Sequence, residues 1–182
     1  MSSSIVLRPA RLPEDSAGIA AIDKSFTTEA ILDIAVGARD IRLIPTPIPL
    51  REKRFAVYDL NREDRDWDEA HVACEDGRII GFAASSYQFW NRRVVLWHLY
   101  VDTPWRGQGL GARLLGEVFA RAARQNALCV WLETSNLNVP GVSFYEKRGF
   151  VLGGVDTTLY GGAQDSREKA LYLVKFLDGV QP

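Results

Sequence analysis

Apolar positions in this chain recur at three- and four-residue steps in some stretches and alternate with polar ones in others, so helices and strands can be assigned before any chemistry. A short strand is expected at Ile5 to Arg8, followed by a helix that Pro13-Glu14-Asp15 opens and that Ile19, Ile22 and Phe26 stripe. Thr27, Thr28 and Glu29 read as the entry to a second helix, Ala30 to Val36. The stretch Ile41 to Leu50 carries Pro45, Pro47 and Pro49. Proline fixes φ and removes a donor, so this stretch should be neither helix nor central strand. Strands at His71 to Cys74 and Arg78 to Tyr87 flank Asp76-Gly77, the clearest hairpin turn of the chain. Beyond it come a strand at Val94 to Val101, a helix at Gly109 to Gln125, a strand at Leu128 to Thr134 and a helix at Val139 to Arg148. Apolar runs at Phe150 to Leu159 and Ala170 to Phe176 close the chain, joined by a turn containing Gly161-Gly162-Ala163-Gln164-Asp165.

This order places one parallel strand-helix-strand unit, Val94 to Thr134, inside an otherwise antiparallel sheet. The fold class is α+β, a mixed sheet with helices on both faces. A chain of 182 residues, 47% hydrophobic and 25% charged, makes one globular domain. A net charge of -1 excludes an overall basic field for nucleic acid or anionic membrane, and no apolar run reaches the roughly eighteen residues of a membrane span. Cys74 and Cys129 are too few and too isolated for a disulfide framework or a metal site, which fits a cytoplasmic protein.

The richest stretch is Leu99 to Gly111, where an apolar strand runs through Arg106-Gly107-Gln108-Gly109-Leu110-Gly111 into a helix. Helix-start N–H groups lack intrahelical partners and carry the positive end of the dipole, so glycines that admit a phosphate there make an anion site. Three readings compete: a plain surface turn, a dinucleotide fingerprint from Gly107-x-Gly109-x-x-Ala112 with Glu133 as ribose acid, and a pyrophosphate cradle. Too little alternating strand and helix follows for a second mononucleotide half, and a P-loop is excluded because Gly-Lys-Ser/Thr is absent.

Arg106-x-x-Gly109-x-Gly111 after Leu99-x-Val101 resembles the acetyl-coenzyme A signature of the GNAT superfamily of N-acetyltransferases. Trp131-Leu132-Glu133-Thr134-Ser135-Asn136-x-Asn138, followed by Phe144-Tyr145-Glu146-Lys147-Arg148-Gly149-Phe150, resembles that family's second cofactor motif. The resemblance implies a twisted sheet whose central parallel pair splays to bind acetyl-coenzyme A. It implies further that Leu99, Tyr100 and Val101 line the pantetheine arm, that Arg106, Gly107, Gln108, Gly109, Leu110 and Gly111 hold the pyrophosphate, and that Asn138 touches the arm. The domain then divides into an acceptor side at 5–60, described as helices and a proline-rich segment, a sheet core with the pyrophosphate loop at 70–134, and the second cofactor motif with a C-terminal hairpin at 135–178.

Amine attack on a thioester needs a neutral amine, a polarised carbonyl and a proton donor for the thiolate. The resemblance makes Tyr145 that donor. Glu133, at a strand end, and His98, with a proton affinity suited to neutral pH, are alternative bases, and the residues leave the choice between them open. Cys129 sits mid-strand with no evident base and is not expected to be a nucleophile.

Glu133 to Pro140, continued through Tyr145 to Asp156, is similar to streptothricin acetyltransferases, with Ile44 to Pro49 and Lys53 a looser N-terminal match. That implies a small cationic amine as acceptor, and the acids Asp59, Glu63, Asp64, Asp66, Asp68 and Glu69 either line its cleft or form a solvated loop. A second reading is a peptide N-terminal acetyltransferase, favoured if residues from Ser25 to Leu60 leave the cleft open. A third is an acyl-coenzyme A sensor without turnover. Phe89-Trp90, if exposed, offers a homodimer contact.

Overall fold

The computed structural model describes residues 4–161 and 167–177, in two compact units. One comprises the chain up to Ser25, Phe55–Trp131 and the C-terminal end from Phe176; the other comprises Phe26–Arg54 and Leu132–Lys175.

In the first unit the Asp76-Gly77 turn does what its residues predict. Both take positive φ, 48° and 80°, which matches the strand twist and folds β4 (Glu69–Glu75) onto β5 (Arg78–Gln88). β1 (Val6–Pro9) pairs with β4, and β5 pairs antiparallel with β6 (Arg93–Val101). The order β1-β4-β5-β6 continues into β7 (Cys129–Ser135) after the crossover helix α2 (Leu110–Arg124), the connection that a parallel pair needs. The sheet is mixed, mostly antiparallel with one parallel pair, as expected. α2 buries Leu110, Leu114, Leu115, Val118 and Ala122 at helical spacing. Gly81 lets it approach, since a Cβ there would lie 2.8 Å from Leu114 Cδ1. A second core gathers Ile19, Ile22, Leu60, Trp67, Val72, Ile79 and Phe82.

The N-terminal expectations need correction. The first helix, α1, spans only Ser16–Ala21, and Phe26 lies on a strand. The predicted helix Ala30 to Val36 is instead part of β2 (Phe26–Val36), which pairs antiparallel with β3 (Ile41–Lys53) as a two-stranded ribbon in the second unit. Its near-continuous apolar run suits burial either as strand or as helix, and long-range pairing decides. The prolines are tolerated because of their parity. Leu32, opposite Pro45, spends its own N–H and C=O on Asn136, so Leu32 and Pro45 are not a hydrogen-bonded pair. Pro47, opposite Ala30, shares that parity, so both missing donors fall on the outer edge of the ribbon, and Pro49 lies where the register shifts and the regular ladder is broken.

Also in the second unit, β7 continues into α3 (Val139–Glu146), and β8 (Val151–Asp156) pairs with β9 (Ala170–Phe176) in the order β7-β9-β8. The ribbon packs here through Ile31 and Ile48 against Leu137, and through Leu32 against Val142 and Leu171. Asn136, 1% exposed, ties it down: Nδ2 donates to Leu32 O and Arg167 O, Oδ1 accepts from Lys169 N–H, and its own N–H donates to Lys169 O. Of the predicted turn Gly161 to Asp165, residues 162–165 lie outside the described residues.

Candidate active site

β6 delivers the chain to the glycine turn. Leu99, Tyr100 and Val101 pair with Ala83, Phe82 and Gly81 of β5, after a bulge that takes Trp97 out of register. Asp102, 3% exposed, then anchors the turn: Oδ1 accepts from Asp23 N–H at 3.0 Å and Thr103 N–H at 3.1 Å, and Oδ2 meets Arg78 at 2.6 Å. Arg78 lies over the Trp105 ring, whose Nε1–H donates to Glu75. None of Asp102, Arg78 and Trp105 stood out as a site residue in the sequence, although an acid just before a turn is a capping signal.

Gly107 and Gly109 have φ of 76° and 82°, and a Cβ on either would meet nothing within 4 Å. The left-handed backbone and the open space are what an approaching phosphate requires. Gly109 caps α2 without a side-chain bond, and the first amides of the helix to find a backbone acceptor belong to Ala112 and Arg113. Among the described residues, the N–H groups from Gly107 to Gly111 donate to no backbone carbonyl, so a row of donors sits at the positive end of a fifteen-residue helix. The residues present therefore fit a pyrophosphate. Arg106 also ties the turn down. Its guanidinium donates to Val101 O, Ser25 O and Asp23 O, which pins the turn to the segment after α1. Gln108 Nε2 donates to Pro104 O.

His98 has both ring nitrogens engaged. Nε2 lies 3.0 Å from Asp59 Oδ2 and Nδ1 3.3 Å from the Tyr100 hydroxyl, while the ring stacks on Phe82 at 5.9 Å. Trp67 Nε1–H donates to the same Asp59 oxygen. Burial opposes ionisation of Asp59, but the bonds from His98 and Trp67 outweigh it and hold the carboxyl below its ordinary range. An ionised carboxylate only accepts, so Nε2 carries the proton, and in the neutral ring Nδ1 accepts from Tyr100. Of the other acids of this segment, Asp64 pairs with the neighbouring Arg62, and Asp68 and Glu69 pair with Arg121 and Arg124 of α2.

The second unit holds the remaining candidates. Glu133, near the end of β7, accepts from the Tyr160 hydroxyl at 2.5 Å. Burial raises its pKa, and the Tyr160 bond and the charge of Lys53 pull it partly back. Lys53, at the end of β3, pairs with Glu168 and lies 5.4 Å from the centre of the Tyr160 ring. Its own pKa is lowered by burial and raised in part by Glu133. Tyr160 and Glu168 carried no sequence signal, because 27 and 35 residues separate them from Glu133.

Asn138 caps α3. Oδ1 accepts from Gly141 N–H and Nδ2 donates to Thr134 Oγ1, each at 3.1 Å, which among the described residues leaves one N–H of Nδ2 for a ligand. Gly141 is required, since a Cβ there would lie 2.3 Å from Asn138 Nδ2. Tyr145, 9% exposed on α3, packs its ring between Phe144 and Phe150 at 5.2 and 5.4 Å. Cys129 is buried, and burial pushes its thiol up, against a nucleophilic role.

Residues 37–150 match the model of the acetyltransferase (GNAT) family. The streptothricin acetyltransferase of Streptomyces lavendulae is 31% identical over 94% of both chains, and streptothricin acetyltransferase A of Bacillus subtilis is 30% identical over 66% of this chain and 75% of its own. Among solved structures, nourseothricin acetyltransferase has a TM-score of 0.82 at 33% identity, covering 94% of this chain and 98% of that one. A Bacillus anthracis protein crystallised with acetyl coenzyme A has 0.81 at 30%, covering 96% and 100%. The chain belongs to the GNAT acetyltransferase family and is an acetyl-coenzyme A-dependent N-acetyltransferase.

Proposed function

We propose that this enzyme acetylates a primary amine of a small cationic acceptor of the streptothricin class, as one catalytic domain spanning 1–182. The observation that carries this reading is in the second unit. The β2–β3 ribbon is fastened to Asn136 and Leu137, between Glu133 and Asn138, and carries Lys53 to the neighbourhood of Glu133. A segment packed in this way bounds the acceptor and suits a small molecule rather than an extended peptide. The relatives that carry streptothricin and nourseothricin in their names support the same class, and the family match runs through both units, which supports one domain.

Each candidate residue then has a role. The amides from Gly107 to Gly111 hold the pyrophosphate, Leu99, Tyr100 and Val101 line the pantetheine arm, and Asn138 offers its remaining N–H to that arm. When bound, acetyl-coenzyme A supplies an activated acetyl thioester. Glu133 removes a proton from the acceptor ammonium, and a buried carboxylate with a raised pKa is a better base for that purpose than an exposed one. Tyr145 protonates the departing thiolate. His98, with Asp59 on one nitrogen and Tyr100 on the other, holds Tyr100 in place rather than meeting the acceptor. Arg106 fixes the turn that presents the amides.

No helix among the described residues is long and apolar enough to cross a membrane, and two cysteines without a partner motif fit a cytoplasmic enzyme. Phe89 and Trp90, 86% and 81% exposed at the β5–β6 turn, supply a contact for a homodimer. The test is coenzyme A release by the purified protein against streptothricin, polyamines, aminoglycosides, amino acids and N-terminal peptides. Saturable release with streptothricin is the expected result, and release with peptides alone would overturn the acceptor assignment.

A further inference from the structure

Glu133 is not a solitary carboxylate. Three side chains from separate stretches of the second unit act on it, Lys53 from β3, Tyr160 from the connection between β8 and β9, and Tyr172 from β9, while Glu168 of the same connection pairs with Lys53. Tyr160 makes the direct contact, its hydroxyl donating to Oε1 at 2.5 Å. Such a short bond from a neutral donor to a carboxylate is of the stronger, charge-assisted kind. Lys53 lies across the face of the Tyr160 ring and is itself held by Glu168, a carboxylate 7% exposed. Tyr172 turns its hydroxyl toward Asp156 at 3.5 Å, and burial together with the charges of Asp156 and Glu133 keeps it protonated.

We propose that Tyr160, braced by the Lys53–Glu168 pair, is the positioning residue of Glu133: it occupies Oε1 so that Oε2 receives the acceptor's proton. The proposal rests on Glu133 acting as the base. In that step an N–H bond of the acceptor ammonium breaks and an O–H bond forms at Oε2, while the Tyr160 O–H stays on its own oxygen throughout. Tyr160 thereby does two things that an unsupported glutamate could not do. It selects the oxygen, and it stabilises the ionised form against the burial that raises the pKa of the group. Lys53, itself paired with Glu168, acts in the same direction through its charge.

The test compares Tyr160→Phe, Lys53→Met and Glu133→Gln in the full chain, with two readouts. The first is the titration of the Glu133 carboxyl carbon in protein labelled with 13C at glutamate side chains, assigned by its loss in Glu133→Gln. The second is the pH profile of turnover on whichever amine the release assay identifies, or on the acetyl-coenzyme A hydrolysis background if none does. Tyr160→Phe keeps the ring under Lys53 and removes only the hydroxyl. It should raise the Glu133 pKa by about one unit and move the acid limb of the kcat–pH profile upward by the same amount, with KM for acetyl-coenzyme A unchanged. Lys53→Met should raise the same pKa by less, and Lys53→Arg should restore it. A Glu133 titration that does not move in Tyr160→Phe overturns the proposal whatever the kinetics show. A titration that moves while Glu133→Gln keeps the parent turnover profile removes Glu133 as the base and, with it, the catalytic meaning of the bond.

Discussion

Adding one methyl group at Gly109 separates what the glycine turn does for the fold from what it does for the cofactor. Gly109 has φ of 82°, a conformation that costs an L-residue about 1–2 kcal/mol, and a Cβ built there meets nothing within 4 Å. Gly109→Ala therefore clashes with no part of the protein. Backbone strain alone should lower the melting temperature by roughly 3–6 °C for a chain of this size. Gly77 is the matched control, with φ of 80° and an equally empty surrounding, but in the β4–β5 hairpin turn away from the start of α2. Gly77→Ala should lose the same stability. The two differ only if a ligand comes close to Gly109. In that case the new methyl holds the pyrophosphate off the helix amides, and acetyl-coenzyme A affinity should fall at least tenfold, about 1.4 kcal/mol, while Gly77→Ala binds like the parent. Thermal melts and titration calorimetry with acetyl-coenzyme A read both quantities on the same samples. Equal affinity for the two variants would refute the cradle, and a far larger stability loss in Gly109→Ala would show that the space beside it is not open.

Three further outcomes are expected. Tyr145→Phe keeps the ring packed between Phe144 and Phe150 and should lower turnover about 100-fold with acetyl-coenzyme A affinity within about twofold; an unchanged kcat would remove the proton-donor role. Asp102→Ala removes the acceptor of the Asp23 and Thr103 N–H groups and should cost about 1–2 kcal/mol in denaturant unfolding, with the Arg78 pair adding little because that guanidinium is largely in water. Asp15→Asn tests linkage. The Arg8 fork, opposed by burial and aided by Arg11 N–H, holds the folded-state pKa of Asp15 below the ordinary aspartate value. Its contribution is therefore complete above about pH 4 and is lost as pH falls toward the folded-state value. The variant should be less stable at pH 7 and should lose less than the parent on acidification, as followed by urea unfolding at several pH values.

Local chemistry was legible in the residues wherever neighbours in sequence are neighbours in space. Asp76-Gly77 announced a hairpin, the apolar stripe of Leu110 to Ala122 announced α2, and the glycines from Gly107 announced the left-handed turn that opens it, because turn angles and helix faces are set within a few residues. The two quoted cofactor motifs pointed to the family for the same reason. Ala30 to Val36 could not be assigned in this way. Its apolar run is compatible with a buried helix or strand, and the pairing with β3 and the two bonds between Leu32 and Asn136 make it a strand. The protonation partners were equally out of reach. Asp59 meets His98 across 39 residues, Tyr160 meets Glu133 across 27, and Lys53 meets Glu168 across 115. Which carboxylate is buried, and which hydroxyl or cation then stabilises its charge, depends on contacts that form only when distant strands come together, since desolvation and hydrogen bonding act over a few ångströms of space rather than of chain.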